Sequence, residues 1–175
     1  MRSPIILSHG SDSGPDATKV SALAALAESL GWTTLRPDYR EDDALGYAGS
    51  VPARLARLRA AIEAQPSLPV LVGSSMGAFV SGLASLEHPV AGLFLLATPE
   101  SIPGCEVDFD VTPDVPTVLI HGWRDELCPL DDMYTFAARR QLPLLILDDD
   151  HRLGASVDAI VGQFRLFLDQ LAARA

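Results

Sequence analysis

The chain has 175 residues, 48% of them hydrophobic, and a formal charge of −10 from 23 acidic and 13 basic side chains. That length suits one domain spanning residues 1–175 with a core of its own, and the composition excludes a disordered chain. The acidic balance, with no Lys/Arg cluster, excludes nucleic acid as an expected partner.

Short apolar runs then alternate with longer helical patterns. The first strand is expected at Pro4–Ser8, ending in the loop His9-Gly10-Ser11-Asp12-Ser13-Gly14-Pro15. That loop lacks the glycine spacings of a phosphate cradle. Val20, Leu23, Ala27 and Leu30 share one helical face, and Gly31 follows as a stop signal. A second strand is expected at Thr33–Arg36. Val51, Leu55, Leu58 and Ile62 mark the next helix, with Arg54, Arg57 and Arg59 outside its apolar stripe. The third strand, Pro69–Val72, runs into Gly73-Ser74-Ser75-Met76-Gly77 and then a helix of small apolar residues. A fourth strand is expected at Ala91–Ala97 and a fifth at Thr117–Ile120, with only Thr98–Pro116 between them. The loop from His121 to Pro129 precedes a sixth strand at Leu142–Leu147. The acidic run Asp148–Asp150, read as a solvated turn, leads to His151. The last helix carries Val157, Ile160, Val161, Phe164, Leu168 and Leu171 at a 3.6-residue period.

Nearly continuous Val/Ile/Leu strands separated by helices predict an α/β fold. It is a doubly wound, six-stranded sheet, mostly or wholly parallel, with helices on both faces. In such sheets the ligand sits beyond the carboxyl ends of the strands. His9, Ser75, Asp125 and His151 all fall on that rim. No apolar run is long enough to span a membrane. Cys105 and Cys128 are too few for a disulfide framework and lack metal-site spacing, so they read as free thiols in a reducing compartment. No signal-peptide pattern opens the chain. A cytoplasmic location is expected, without a membrane or metal partner.

The strand–turn–helix around Ser75 is a G-x-S-x-G. A serine hydroxyl is a weak nucleophile, and it needs a base and a group to orient that base. A side chain two residues either side of Ser75 would collide where strand and helix pass closely, so glycines are needed at both places. His151 is the candidate base, because it comes late and sits between the last strand and the last helix. His88, before Pro89, reads as a turn or cap residue; His121 reads as ordering the neighbouring loop; His9 belongs to the end of the first strand. Asp125, just past a strand end with Pro129 following, is the candidate orienter, in competition with Glu126, Asp108, Asp110 and Asp114. The Asp148–Asp150 charges would favour the protonated imidazole if they lie close. Two backbone N–H groups should stabilise an oxyanion. One is that of Met76 at the helix N-terminus. The second is that of Ser11, with Asp12 as the alternative. Trp123, Met76, Phe79, Met133 and Tyr134 are either acyl-site or core residues.

The opening Ser8-His9-Gly10 with Pro15-Asp16 and Lys19, the Gly73–Gly77 turn, the His121-Gly122-x-x-Asp125 loop and Asp150-His151-Arg152-Leu153 together resemble the α/β-hydrolase superfamily. Among its members they resemble the small, lidless bacterial proteins similar to the YqiA-like esterases. The resemblance implies a serine esterase working through an acyl-enzyme on a small-molecule, ester-like substrate, without a cofactor. It also implies departures from the larger members. The usual N-terminal antiparallel hairpin is missing, and the segment before the fifth strand is too short for a cap domain. Both point to an open site and small soluble substrates. The same triad serves thioesters, amides and peracid formation. A binding protein on a hydrolase scaffold is the alternative of a different class.

Overall fold

The computed structural model describes residues 2–174. Its centre is one six-stranded sheet in the order β2-β1-β3-β4-β5-β6, with every pair parallel. The strands are β1 (Ile5–Ser8), β2 (Thr34–Leu35), β3 (Val70–Ser74), β4 (Gly92–Leu96), β5 (Thr117–Arg124) and β6 (Leu144–Asp150). The doubly wound, six-stranded α/β architecture expected from the sequence is the one observed, and the sheet, expected to be mostly or wholly parallel, is wholly so. The central strands β1, β3 and β4 are buried along their whole length, which is why they read as unbroken apolar runs.

Side chains alternate across the sheet and form two cores. Ile6, Leu71, Leu93, Leu95 and Leu119 pack against α3 (Gly46–Glu63), α4 (Met76–Glu87) and α5 (Leu130–Arg140). Ile5, Leu7, Val70, Val72, Phe94 and Leu96 face α1 (Thr18–Ser29) and α6 (Val157–Ala172) on the other side. There, Phe94 sits against Phe164 and Phe167, with ring centroids 4.8 and 5.5 Å apart. The short helix α2 (Arg40–Asp43) packs on α3. No helix among the described residues is long and apolar enough to cross a membrane.

Three expectations need correction. First, β5 runs on through His121 to Arg124, beyond the apolar run that ends at Ile120. Second, Asp148–Asp150 belong to β6 rather than to a solvated turn, and Asp149 is buried. Backbone pairing with β5, through a register shift between Gly122 and Arg124, continues the ladder past the apolar residues. Third, Arg54 is not outside the stripe of α3 but inside it and fully buried. Its spacing from Val51 and Leu58 puts it on the inward face, and partners described below offset its charge.

The topology also locates a crevice. The chain goes from β1 outward to β2, then returns across β1 to β3 and continues the other way. The order therefore reverses between β1 and β3, where loops diverge at the carboxyl edge and leave room for a ligand. The residue following β3 is Ser75.

Candidate active site

Ser75 has φ 54° and ψ −120°, a backbone conformation that side chains rarely adopt and that costs of the order of 1–3 kcal/mol. The two glycines make the bend possible by steric necessity. A Cβ on Gly73 would meet the Gly77 carbonyl at 2.4 Å, and one on Gly77 would meet the Ser8 carbonyl at 2.1 Å. The bend lifts the Ser75 hydroxyl off the sheet edge while Met76 starts α4. The first amides of a helix have no carbonyl within it to bond, so the Met76 N–H, next in sequence to Ser75, has no partner inside α4.

The other sequence-selected side chains meet Ser75 from loops distant in sequence. His151 follows β6 directly, and its Nε2 lies 3.0 Å from Ser75 Oγ. Its Nδ1 lies 2.8 Å from Asp125 Oδ2. A carboxylate only accepts, so Nδ1 carries the proton and Nε2 is left to accept the Ser75 hydroxyl. Asp125 follows β5, and its side chain is wholly buried. Its Oδ1 accepts the Leu127 and Cys128 amides at 3.0 and 2.7 Å. His121 Nε2 lies 3.2 Å from Oδ2 and donates to the Cys128 carbonyl at 2.7 Å. Burial pushes the Asp125 carboxyl upward, but hydrogen bonds from His121, His151 and the Cys128 amide outweigh it and hold the group well below the ordinary carboxylate range. Glu126, Asp108, Asp110 and Asp114 take no part in this hydrogen-bonded chain.

The His151 loop is itself held. The Arg152 amide donates to Asp150 Oδ1 at 2.8 Å, and the Lys19 ammonium on α1 donates to the Arg152 carbonyl. Leu153, with φ 52°, is completely buried and pins the loop to the core. His88 caps the end of α4.

The loop after β1 borders Ser75: a Cβ on Gly10 would lie 3.4 Å from Ser75 Cβ. Ser11 is half-buried next to it, and Asp12 is exposed with φ 56°. His9 is not on the open rim but buried beneath it. Its Nε2 accepts the Tyr39 amide at 3.0 Å and its Nδ1 donates to the Gly10 carbonyl at 2.7 Å. Burial lowers its pKa, which keeps the ring neutral, as this pattern requires. Arg54 reaches the same loop and is the residue the sequence reading missed. The available signal was its helical register, which outranks its charge.

A cavity of about 150 Å³ opens beside the loop, lined by Ser11, Asp12, Asp43, Gly46, Tyr47 and Ser50. A second lies between α5 and β6, and neither cavity is lined by Ser75, Asp125 or His151. Met76, Phe79 and Met133 are core residues, whereas Trp123, Leu127 and Tyr134 are exposed. Asp125, Cys128 and His151 have ligand atoms within 4.8 Å of one another. They are a poor metal set, because the carboxylate and Nδ1 already bond each other. Burial and the Asp125 charge also push the Cys128 thiol up to about 12, which keeps it protonated.

No protein-family model matches the chain, and no curated protein matches it. Solved structures do. A protein from Xanthomonas campestris pv. campestris, assigned to the hydrolases of the α/β superfamily, is 42% identical, with a TM-score of 0.90 over 98% of this chain and 99% of that one. A lidless α/β serine hydrolase from Xanthomonas campestris is 20% identical, with a TM-score of 0.70 over 97% and 83% of the two chains. Est1E from Butyrivibrio proteoclasticus is 18% identical, with a TM-score of 0.76 over 98% and 89%. At that identity the last two share the fold alone.

Proposed function

The chain belongs to the α/β-hydrolase superfamily, and from that membership we propose that it is a serine hydrolase cleaving small soluble carboxylic esters through an acyl-enzyme. The observation that carries this reading is the continuous hydrogen-bonded line from Ser75 Oγ through the His151 ring to Asp125, begun on a strained turn.

Ser75 Oγ attacks the ester carbonyl as His151 Nε2 takes its proton, so an O–C bond forms and the carbonyl oxygen becomes an oxyanion. Asp125 keeps Nδ1 protonated and steadies the imidazolium once it forms. The Met76 and Ser11 amides stabilise the oxyanion. The tetrahedral intermediate collapses, the C–O bond to the alcohol breaks, and His151 returns the proton to the departing alkoxide. Water, deprotonated by the same histidine, then releases the acid and restores Ser75.

The short path between β4 and β5, with no helix in residues 97–116, supports a compact, soluble substrate. Ser75→Ala is expected to cut turnover of a short-chain p-nitrophenyl ester by ~10³-fold or more without loss of fold. Wild-type-like turnover in that variant would sink the proposal. A fluorophosphonate adduct on Ser75, lost when His151 is replaced, separates an enzyme from a binding protein on the same scaffold.

A further inference from the structure

Beneath the loop that carries Ser11 lies a buried cation that none of the steps above uses. Arg54 has no exposed surface. Its Nη1 donates to the His9 carbonyl at 2.7 Å and its Nη2 to the Gly10 carbonyl at 3.1 Å. Nε and Nη2 also grip the two oxygens of Asp43, each at 2.7 Å. The Tyr39 ring lies 4.7 Å from the guanidinium carbon. The Gly10 carbonyl therefore has two donors, Arg54 and His9 Nδ1, and the His9 ring is itself held by the Tyr39 amide.

In a trans peptide the carbonyl and the following N–H point in opposite directions, and no peptide bond among the described residues is cis. Holding the Gly10 carbonyl toward Arg54 thus aims the Ser11 N–H away from α3. The same loop borders Ser75, with Gly10 at contact distance from the nucleophile turn. A buried guanidinium has a large desolvation cost, and an apolar side chain would fill the same helical position without it. What the apolar side chain could not supply is a planar fork that serves one carboxylate and two carbonyls at once.

We propose that Arg54 is a positioning residue for this reaction: it clamps the Gly10 carbonyl so that the Ser11 N–H is preset to receive the oxyanion. The inference rests on the serine-esterase reading and deepens it.

Arg54→Lys keeps a charge opposite Asp43 but loses the fork. With p-nitrophenyl acetate, its kcat is expected to fall ~10²-fold while KM stays within about threefold. The inhibition constant of an aryl trifluoromethyl ketone, whose Ser75 adduct carries an oxyanion, should rise about as much as kcat/KM falls. The double variant Arg54→Met with Asp43→Asn leaves no unpaired buried charge and should show the same pattern. A folded Arg54 variant with kcat within about threefold of wild type, or with unchanged ketone affinity, overturns the role of Arg54. Ser75→Ala run in parallel separates the two ideas. If it turns over normally, the esterase reading fails. If it is dead while Arg54→Lys is fully active, only the Arg54 inference fails.

Discussion

Asp125 illustrates how one side chain holds both geometry and charge. Its two oxygens accept two loop amides and His151, with His121 close by, so the carboxylate is fixed in position and in charge state. In Asp125→Asn the amide cannot accept from every one of these donors. An NH₂ facing His151 would favour the other tautomer, in which Nε2 bears the proton and cannot act as base. Turnover is expected to fall about 10³–10⁴-fold, measurable with the same aryl ester. Stability should respond as well. The folded carboxyl sits below its ordinary value of ~3.9, so its contribution is fully present above about pH 4 and is lost as pH falls through the folded value. The difference in urea midpoint between wild type and Asp125→Asn should therefore be largest near neutral pH and shrink under acid. A gap that widens on acidification would contradict this account. Cys128, three residues on, is buried with its thiol pushed up to about 12, while Cys105 is half-buried.

The elements matter by where they end. β1, β3, β5 and β6 deliver the Gly10 loop, Ser75, Asp125 and His151 to one edge of the sheet. The helices secure that edge from behind. Lys19 on α1 tethers the Arg152 carbonyl, and α6 closes one core with Phe164 against Phe94. Phe164 is completely buried, so Phe164→Ala would leave a cavity and cost about 3–5 kcal/mol, read as a fall in denaturant midpoint. A loss under about 1 kcal/mol would show that α6 is not anchored as described. The central strands β1, β3 and β4 were legible because both faces of the sheet are covered there, which leaves unbroken apolar runs. The ends of β5 and β6 were not. His121–Arg124 and Asp148–Asp150 break the apolar runs with histidine, glycine, arginine and acidic residues, and pairing between the two strands keeps them extended.

At the scale of the whole molecule, the path between β4 and β5 decides how open the site is. Residues 97–116 form no helix and fold down onto α4 and α5, with Ile102, Phe109 and Val111 in the core. Phe109 packs between Phe79 and Phe136, with centroids 6.2 and 4.9 Å away. That segment fills the core, and Ser75 stays partly exposed. Short-chain aryl esters should accordingly be hydrolysed with ordinary saturation, with no jump in rate when a longer substrate passes its solubility limit. An abrupt activation at that limit would mean that some element does close over the rim. The sequence by itself determined the alternation of strands and helices, the Gly73–Gly77 turn, and Ser75, Asp125 and His151 as the side chains to watch. Each of these is written in local patterns: hydrophobic period, glycine placement and order along the chain. Only the tertiary structure decided that Arg54 is inside, because a charge is tolerated in a core only when its partners are brought to it. Those partners, Asp43 and the His9 and Gly10 carbonyls, lie 11 and 44–45 residues away and meet it only when α3 packs under the loop after β1.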